Sequence, residues 1–118
     1  MQKLNVPAFK FGSGDLNNLP VLEYAAKLKK PMLISTGMAN LKEIREAVQT
    51  IKKTGNDKII IFHCTTDYPC APRDVNLRAM STLAKELGVL VGYSDHTLGS
   101  QVSIMPVTLG ACMIEKHF

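Results

Sequence analysis

Lys58-Ile59-Ile60-Ile61-Phe62-His63-Cys64-Thr65-Thr66 is the stretch of this 118-residue chain that decides its fold. A continuous apolar run of this kind predicts a β-strand buried on both faces, as in a parallel sheet covered by helices. Reactive side chains begin directly where the run ends. The same succession occurs four more times, with the polar ends Gly12-Ser13-Gly14-Asp15, Ser35-Thr36-Gly37, Ser94-Asp95-His96 and Glu115-Lys116-His117. Five such endings predict an enzyme whose active site lies at the carboxyl edge of an α/β sheet.

The apolar runs are the predicted strands, and helical segments with recognisable ends lie between them. The runs cover residues 6–11, 31–34, 58–62, 89–92 and 112–114. Asn40 followed by Glu43 predicts a capping box at the start of the second helix. Asp74 or Asn76 is predicted to cap the third helix, and Gly88 to end it. A fourth helix is predicted over residues 98–109, where a proline at position 106 indicates a kink or a later start.

This alternation of strands and helices fits two architectures, a doubly wound open sheet and part of an eight-stranded (β/α) barrel. Reactive side chains at every strand end favour the barrel, in which all strands contribute to one central site. A whole barrel of this kind needs about 250 residues. We therefore expect an α/β fold in which residues 1–118 supply five of the eight strands of a partial (β/α)8 TIM barrel.

Composition argues against several classes of partner. Lys and Arg number 14 against 10 Asp and Glu, a mild surplus that suits an anionic small substrate. The basic residues are spread over the predicted helices without interleaved aromatics, so no nucleic-acid partner is expected. No apolar run approaches the ~18 residues that cross a bilayer, so no membrane partner is expected. Cys64, Cys70 and Cys112 show no CxxC spacing, which indicates reduced thiols and a cytoplasmic protein.

Two histidines and a set of anion-binding groups are the candidate functional residues. If His96 and His117 both stand at strand ends of one barrel, their neutral imidazoles converge on a single metal ion and leave open positions. The groups suited to a phosphate or carboxylate are Lys10, Ser13, Ser35, Thr66 and Ser94. An ammonium, hydroxyls and the backbone N–H groups of glycine turns bind such anions. Each serine taken alone is more typical of a turn or a helix cap, and it is their recurrence at strand ends that favours an anion site.

The same segments also suggest nucleophiles. His63 beside Cys64 suggests a reactive thiol, but adjacent strand residues point to opposite faces and cannot form the required hydrogen bond. Lys116 suggests the Schiff base of an aldolase. Strand alternation places Glu115 and His117 on one face and Lys116 on the other. An inward His117 therefore excludes an inward Lys116.

Five motifs together resemble the sialic acid synthase family, which includes N-acetylneuraminate, legionaminate and pseudaminate synthases. They are Lys10-Phe11-Gly12-Ser13-Gly14-Asp15-Leu16, Ile34-Ser35-Thr36-Gly37-Met38, His63-Cys64-Thr65-Thr66-Asp67-Tyr68-Pro69, Gly92-Tyr93-Ser94-Asp95-His96-Thr97 and Ile114-Glu115-Lys116-His117-Phe118. The resemblance implies that residues 1–118 are the carboxyl-terminal part of the catalytic barrel, its last five βα units. The amino-terminal strands and the antifreeze-like domain of the family are then absent. We expect this chain to have little or no synthase activity alone.

The resemblance also implies a reaction, the condensation of phosphoenolpyruvate with an N-acetylated amino-sugar aldehyde such as N-acetylmannosamine, for polysaccharide biosynthesis. Carbon 3 of phosphoenolpyruvate attacks the open-chain aldehyde, water adds to the resulting oxocarbenium centre, and phosphate is released. A divalent cation, Mn²⁺ or Mg²⁺, is expected to polarise the aldehyde oxygen, since a developing alkoxide needs a Lewis acid. A homodimer is the expected assembly of the parent protein.

Matched by motif, His96 and His117 resemble the catalytic metal ligands of the family. The residues that resemble its phosphoenolpyruvate contacts are Lys10, Ser13, Ser35, Thr66 and Ser94. Asp15 and Tyr68 resemble its sugar contacts.

Two alternatives to a synthase stay open. One is a Schiff-base aldolase on a similar barrel, acting on a phosphorylated or carboxylated substrate through Lys116 or Lys10. The other is a degenerate chain that only binds anions or partners.

Overall fold

The computed structural model describes residues 5–117 and contains one sheet of five parallel strands. The strands are β1 (Phe9–Phe11), β2 (Met32–Ser35), β3 (Ile59–His63), β4 (Leu90–Asp95) and β5 (Ile114–Lys116). The connecting helices are α1 (Leu19–Ala26), α2 (Leu41–Lys53), α3 (Arg78–Leu87) and α4 (Gln101–Thr108). Two short 3₁₀ helices, Ser13–Asp15 and Pro72–Asp74, follow β1 and β3. Phe118, the last residue of the fifth motif, lies outside the described residues.

The strand order and curvature identify the sheet as part of a barrel. Neighbouring strands follow the chain order from β1 to β5, whereas a doubly wound sheet reverses its order at a switch point. In a flat sheet, four strand spacings of about 4.8 Å would separate β1 from β5 by roughly 19 Å. Yet Lys10 Nζ on β1 lies 3.4 Å from Glu115 Oε2 on β5. The sheet is therefore curled, and the prediction of a partial (β/α)8 barrel is confirmed.

Alternation along the strands decides which side chains face the concave side of this curled sheet. Phe9 and Phe11 are buried in the core beneath the helices, so Lys10 between them points to the concave side. The parallel register continues that concave face over Ser35, Phe62, Gly92, Ser94 and Glu115. The strands alone therefore place the strand residues predicted to bind an anion on one face of the sheet.

The capping box predicted for α2 is present. Asn40 Oδ1 accepts hydrogen bonds from the N–H groups of Lys42 and Glu43, at 3.0 and 3.1 Å. Glu43 Oε2 in turn accepts one from the N–H of Asn40 at 2.8 Å. Helix α2 buries one apolar stripe, formed by Ile44, Ala47, Val48 and Ile51. Local sequence thus decides both where this helix begins and which face it buries.

The start of α3 differs from the predicted one. The helix begins at Arg78 without a side-chain cap, so the capping role predicted for Asp74 or Asn76 is wrong. Asp74 ends the second 3₁₀ helix, and Asn76 adopts a left-handed φ of 46°, so the chain turns at Asn76 before the helix starts. The end of α3 is as predicted, with Gly88 in the left-handed conformation at φ 59°.

The end of the chain also differs in detail from its prediction. Strand β5 begins at Ile114, which pairs with Tyr93, so Glu115 and Lys116 are strand residues and do not follow the strand. Helix α4 begins at Gln101, later than the predicted residue 98, but Pro106 still lies inside the helix and not in its first turn. Among residues 5–117, no helix combines the length and the apolar character of a membrane span.

Gly92 allows β5 and an aromatic ring to approach β4 closely. A Cβ added at this position would lie 2.9 Å from the carbonyl oxygen of Met113 and 2.9 Å from Phe62 Cε1. We expect Gly92→Ala to lower the free energy of unfolding by about 1–3 kcal/mol, because a backbone oxygen can yield only if its strand moves. Urea unfolding followed by circular dichroism measures the change. Gly14→Ala, whose added Cβ has no atom within 4 Å, is the matched control. Equal losses in both variants would contradict the prediction.

Candidate active site

Two histidine rings and one tyrosine ring gather where β4 and β5 end. The pairing of β4 with β5 extends to Asp95 and Lys116, so His96 and His117 each follow the last paired residue. Their ring centroids lie 5.2 Å apart with 32° between the planes. The ring of Tyr68, from the loop after β3, lies 4.0 Å from that of His96 and 5.8 Å from that of His117. The structure therefore brings together the two histidines that the sequence predicted at one site.

The hydrogen bonds of His96 define the state of its ring. Nδ1 lies 2.6 Å from the carbonyl oxygen of Thr65, and because a carbonyl only accepts, Nδ1 carries a proton. Nε2 lies 3.2 Å from Ser94 Oγ. The Ser94 hydroxyl donates its one proton to Glu115 Oε1 at 2.7 Å. In the neutral ring, Nε2 therefore presents a lone pair that receives no proton from Ser94, as a metal-ligating imidazole does.

A chain of polar contacts crosses the concave face beside the histidines. Lys10 Nζ donates a hydrogen bond to Ser35 Oγ at 2.7 Å and lies 3.4 Å from Glu115 Oε2. Glu115 is bonded through its other oxygen to Ser94. The side chains of Lys10 and Glu115 are 34% and 32% exposed, so a small molecule can reach both of them. Three residues predicted to bind an anion, Lys10, Ser35 and Ser94, thus belong to one cluster.

Glu115 is a site residue that the sequence prediction did not include. Its position was already indicated, since strand alternation places it on the face of His117. The sequence did not indicate its role, because a carboxylate is not expected beside a site that binds an anion. In the structure Lys10 balances the charge of Glu115, and the ion pair joins the first strand to the last.

Ser13 and Thr66 meet around Gly37 at the same edge of the sheet. The N–H of Gly37 donates to Ser13 Oγ at 3.0 Å, and Ser13 Oγ lies 3.4 Å from Cys64 Sγ. A Cβ on Gly37 would lie 2.3 Å from Thr66 Oγ1, so this approach requires glycine. Asp15 is exposed in the 3₁₀ helix after β1, and within residues 5–117 no hydrogen bond joins its carboxylate to this group. Its predicted contact with a sugar stays a prediction.

The donor set suits a divalent cation with several open coordination positions. In the part of the chain that the structure describes, no three or more His, Cys, Asp or Glu side chains form a group that could hold a metal ion. The two imidazoles are therefore the protein donors available, and His96 Nε2 presents a lone pair. Water and substrate oxygens would fill the remaining positions, as in catalytic metal sites. The residues present fit such a cation.

The outer face of the sheet carries a second polar cluster next to the histidines. Lys116 Nζ lies 3.0 Å from Asp95 Oδ2, and the Asp95 carboxylate is fully buried. Burial alone raises the pKa of this carboxylate, but hydrogen bonds from Ser103, Thr97 and Lys116 together outweigh that effect and hold the pKa below its usual value. Lys116 therefore lies on the face opposite Glu115, as strand alternation predicted.

His63 and Cys64 point to opposite faces of β3, which agrees with the prediction that they form no catalytic couple. His63 Nε2 lies 2.8 Å from the carbonyl oxygen of Val75. The His63 ring also packs near the ring of Tyr93, with 5.8 Å between centroids, on the side covered by helices. Cys64 points to the concave side, toward Ser13.

A curled parallel sheet with imidazoles, an ammonium and hydroxyls at its carboxyl edge defines a (β/α) barrel of the kind that carries an active site at that edge. The chain belongs to the NeuB family, whose model matches residues 1–118. This match confirms the resemblance to the sialic acid synthase family that the five motifs indicated.

Relatives of known name share the sequence and the fold. An N,N'-diacetyllegionaminic acid synthase from Legionella pneumophila is 50% identical over 98% of this chain and 33% of its own length. The crystal structure of the spore coat polysaccharide biosynthesis protein SpsE from Bacillus subtilis has a TM-score of 0.97 at 39% identity, over 99% of this chain and 33% of its own. An N-acetylneuraminic acid synthetase from Leptospira borgpetersenii, in complex with citrate, has a TM-score of 0.93 at 36% identity, over 99% of this chain and 41% of its own. The chain thus spans about a third of the length of the relatives it matches.

Proposed function

We propose that this chain forms part of the active site of a synthase that condenses phosphoenolpyruvate with an N-acetylated amino-sugar aldehyde, giving a nonulosonate and phosphate. The observation that carries the proposal is the clustering of two histidines with Lys10 and Ser94 at one edge of the sheet. Family membership and the names of the relatives support the same class of reaction. A role in polysaccharide biosynthesis accords with the name of the Bacillus subtilis relative.

Lys10 is the residue that would hold the anionic substrate. Its ammonium lies on the concave face, with Ser35 and Glu115 as its present partners. A phosphate or carboxylate would compete with Glu115 for this ammonium and for the proton of the Ser94 hydroxyl, and would gain a second hydroxyl donor from Ser35. Ser13 and Thr66, one loop away, would supply further donors to the same molecule.

His96 and His117 are the residues that would hold a divalent cation, Mn²⁺ or Mg²⁺. When bound there, the cation would supply Lewis-acid polarisation of the aldehyde oxygen. The Thr65 carbonyl holds the His96 ring in the tautomer that leaves Nε2 available. Tyr68 packs against both imidazoles and is 62% exposed, so its ring would form a wall for the acceptor sugar. Asp15 is the second proposed sugar contact.

The proposed reaction forms one C–C bond and replaces the C–O bond to phosphate with a C–O bond to the oxygen of water. Carbon 3 of phosphoenolpyruvate attacks the aldehyde carbon, and the carbonyl π electrons move to the aldehyde oxygen, which takes up a proton. Water then adds at the oxocarbenium carbon 2 and loses one proton. The C–O bond to phosphate breaks, the new hydroxyl on carbon 2 gives up its proton to become a ketone, and inorganic phosphate leaves with that proton. Glu115, bonded to Ser94 beside the histidines, is a carboxylate placed to accept the proton of that water.

The Schiff-base alternative loses one of its two lysines in this structure. Lys116 is bound to Asp95 on the outer face and does not face the concave side of the sheet. Lys10 does face the concave side, but its ammonium is paired with Glu115, whereas a Schiff base needs the neutral amine. The geometry therefore favours the synthase.

An assay of the complete gene product tests this proposal. With phosphoenolpyruvate and N-acetylmannosamine or its N-acetylated derivatives, we expect release of inorganic phosphate that EDTA abolishes and Mn²⁺ restores. Activity that resists EDTA, together with lysine labelling when borohydride is added with substrate, would instead establish the aldolase. The 118-residue chain measured alone is expected to show no multiple turnovers, and turnover by it would overturn that expectation.

We also propose a cytoplasmic homodimer as the working form of the protein. Cys64, Cys70 and Cys112 are free cysteines, which suits a reducing compartment. Sedimentation velocity of the complete gene product measures the assembly, and a monomer would contradict the proposed dimer.

A further inference from the structure

We propose that Asp95 and Lys116 are positioning residues that hold His96 and His117 at their mutual distance. The two residues form an ion pair on the outer face of the sheet, and within residues 5–117 no hydrogen bond joins their charged groups to either imidazole. The inference rests on the proposed metal site, because it assigns to this pair the orientation of the two metal ligands. It concerns a cluster that the chemistry proposed above does not use.

The register of the sheet places this pair directly beside the histidines. Asp95 and Lys116 are the last paired residues of β4 and β5, so His96 and His117 are the next residue on each strand. The hydrogen bond between Lys116 Nζ and Asp95 Oδ2, at 3.0 Å, therefore links the two residues that directly precede His117 and His96.

The same carboxylate also fixes the backbone on the far side of His96. Asp95 Oδ1 accepts hydrogen bonds from the N–H and the hydroxyl of Thr97, at 2.9 and 2.8 Å. Lys116 Nζ donates a second hydrogen bond to the carbonyl oxygen of Thr97. His96 thus lies between two residues, Asp95 and Thr97, that are both bound to the ion pair. The backbone from which its ring projects is therefore held on both sides.

The burial of this cluster makes the lysine necessary. The Asp95 side chain has no exposed surface, and Lys116 and Ser103 are the donors to its Oδ2. Removal of the ammonium leaves a buried carboxylate with one donor fewer and the carbonyl of Thr97 without its lysine partner. The turn that carries His96 must then rearrange. Surface ion pairs such as Arg45 with Glu86, where both side chains are about 40% exposed, impose no such constraint.

The test measures Mn²⁺ affinity of the complete gene product without substrate, by isothermal titration and by the electron paramagnetic resonance signal of free Mn²⁺. We expect Lys116→Met, which keeps most of the length of the side chain and removes its charge, to weaken Mn²⁺ binding by about 10–100-fold, the usual effect of removing groups that orient metal ligands. Lys116→Arg is expected to recover most of the loss. Ser103→Ala removes one donor to Asp95 and is expected to cause a smaller loss of the same sign.

The control separates positioning from general stability. Asn56 is buried, with 2% of its surface exposed, and its side-chain amide donates to the carbonyls of Ala26 and Lys30. Asn56 and Lys30 lie in loops that precede strands, and Ala26 is the last residue of α1, so all three are away from the histidines. Asn56→Ala is therefore expected to lower the melting temperature and leave Mn²⁺ affinity unchanged.

Each outcome decides between the claims. Mn²⁺ binding by Lys116→Met and Ser103→Ala at wild-type affinity overturns the positioning role and leaves the proposed metal site standing. An equal loss in Asn56→Ala also overturns it, because the effect then follows stability. If the wild-type protein itself binds no Mn²⁺, both the metal site and this inference fail. Where Lys116→Met does not fold, the milder Ser103→Ala variant decides the question by the same criterion.

Discussion

Replacing His96 or His117 with alanine is expected to lower both Mn²⁺ affinity and kcat/KM of the complete gene product by more than about 100-fold. This figure is a lower bound, because residues that merely orient metal ligands already contribute 10–100-fold. Each variant removes one of the two imidazoles whose centroids lie 5.2 Å apart. The physical reason is that the proposed site has two protein ligands, so a variant that loses one of them neither holds nor orients the cation. Titration with Mn²⁺ and phosphate release from phosphoenolpyruvate measure the two effects.

The matched control for these variants is His63→Ala. His63 lies one strand away but faces the helices, where its ring bonds to the carbonyl oxygen of Val75. Its removal is expected to reduce stability through the lost hydrogen bond while Mn²⁺ affinity stays at the wild-type level. A wild-type Mn²⁺ affinity in both His96→Ala and His117→Ala would show that the imidazoles are not the ligands. A loss as large in His63→Ala would show that unfolding, and not ligation, explains the result.

The barrel architecture was predictable because its signals are local. Each βα unit places a short apolar run, a reactive end and a capped helix within some thirty residues, so pattern alone is sufficient. Strand alternation alone correctly places Glu115 and Lys116, and likewise His63 and Cys64, on opposite faces of their strands. These inferences needed only the period of a strand.

The errors lie where local signals compete with contacts made at a distance. The predicted strand 112–114 follows a short apolar run of the sequence, but the strand bounds are set by pairing with β4, which starts at Ile114 and Tyr93. The cap predicted at Asp74 or Asn76 failed because the loop after β3 needs a left-handed turn at Asn76. Where a helix is capped depends on the path of the chain as well as on residue type.

The polar groups around the histidines could not be predicted for the same reason. The Thr65 carbonyl accepts a hydrogen bond from His96 Nδ1 only because the loop after β3 lies across the ends of β4 and β5. Glu115 and Lys10 lie on the last and first strands of the sheet, so they can pair only because the whole sheet is curved. The sequence indicates which side chains share a face, while the curvature of the sheet determines which of them meet.

Lys10→Met is expected to lower kcat/KM for phosphoenolpyruvate by roughly 30-fold to several thousand-fold, the equivalent of about 2–5 kcal/mol for one partner removed from a close charged pair. Lys10 is the ammonium on the concave face beside Ser35 and Glu115, so its loss removes the attraction for the substrate anion. The loss also leaves the Glu115 carboxylate uncompensated, and that charge then repels the anion. Steady-state kinetics measure the effect, and most of it is expected in KM for phosphoenolpyruvate.

Lys27→Met is the matched control for this charge. Lys27 carries the same ammonium, but it lies on the surface just after α1 and pairs with Glu23, one helical turn away. Its removal lowers the net charge of the chain by the same amount, from the formal +4, without touching the concave face. We expect its kinetic constants to equal those of the wild-type protein. If both lysine variants raised KM equally, a general attraction of the basic surface for the anion would account for binding, and the specific role of Lys10 would be wrong. If Lys10→Met alone kept its KM but lost kcat, Lys10 would act in the chemical step and would not anchor the anion.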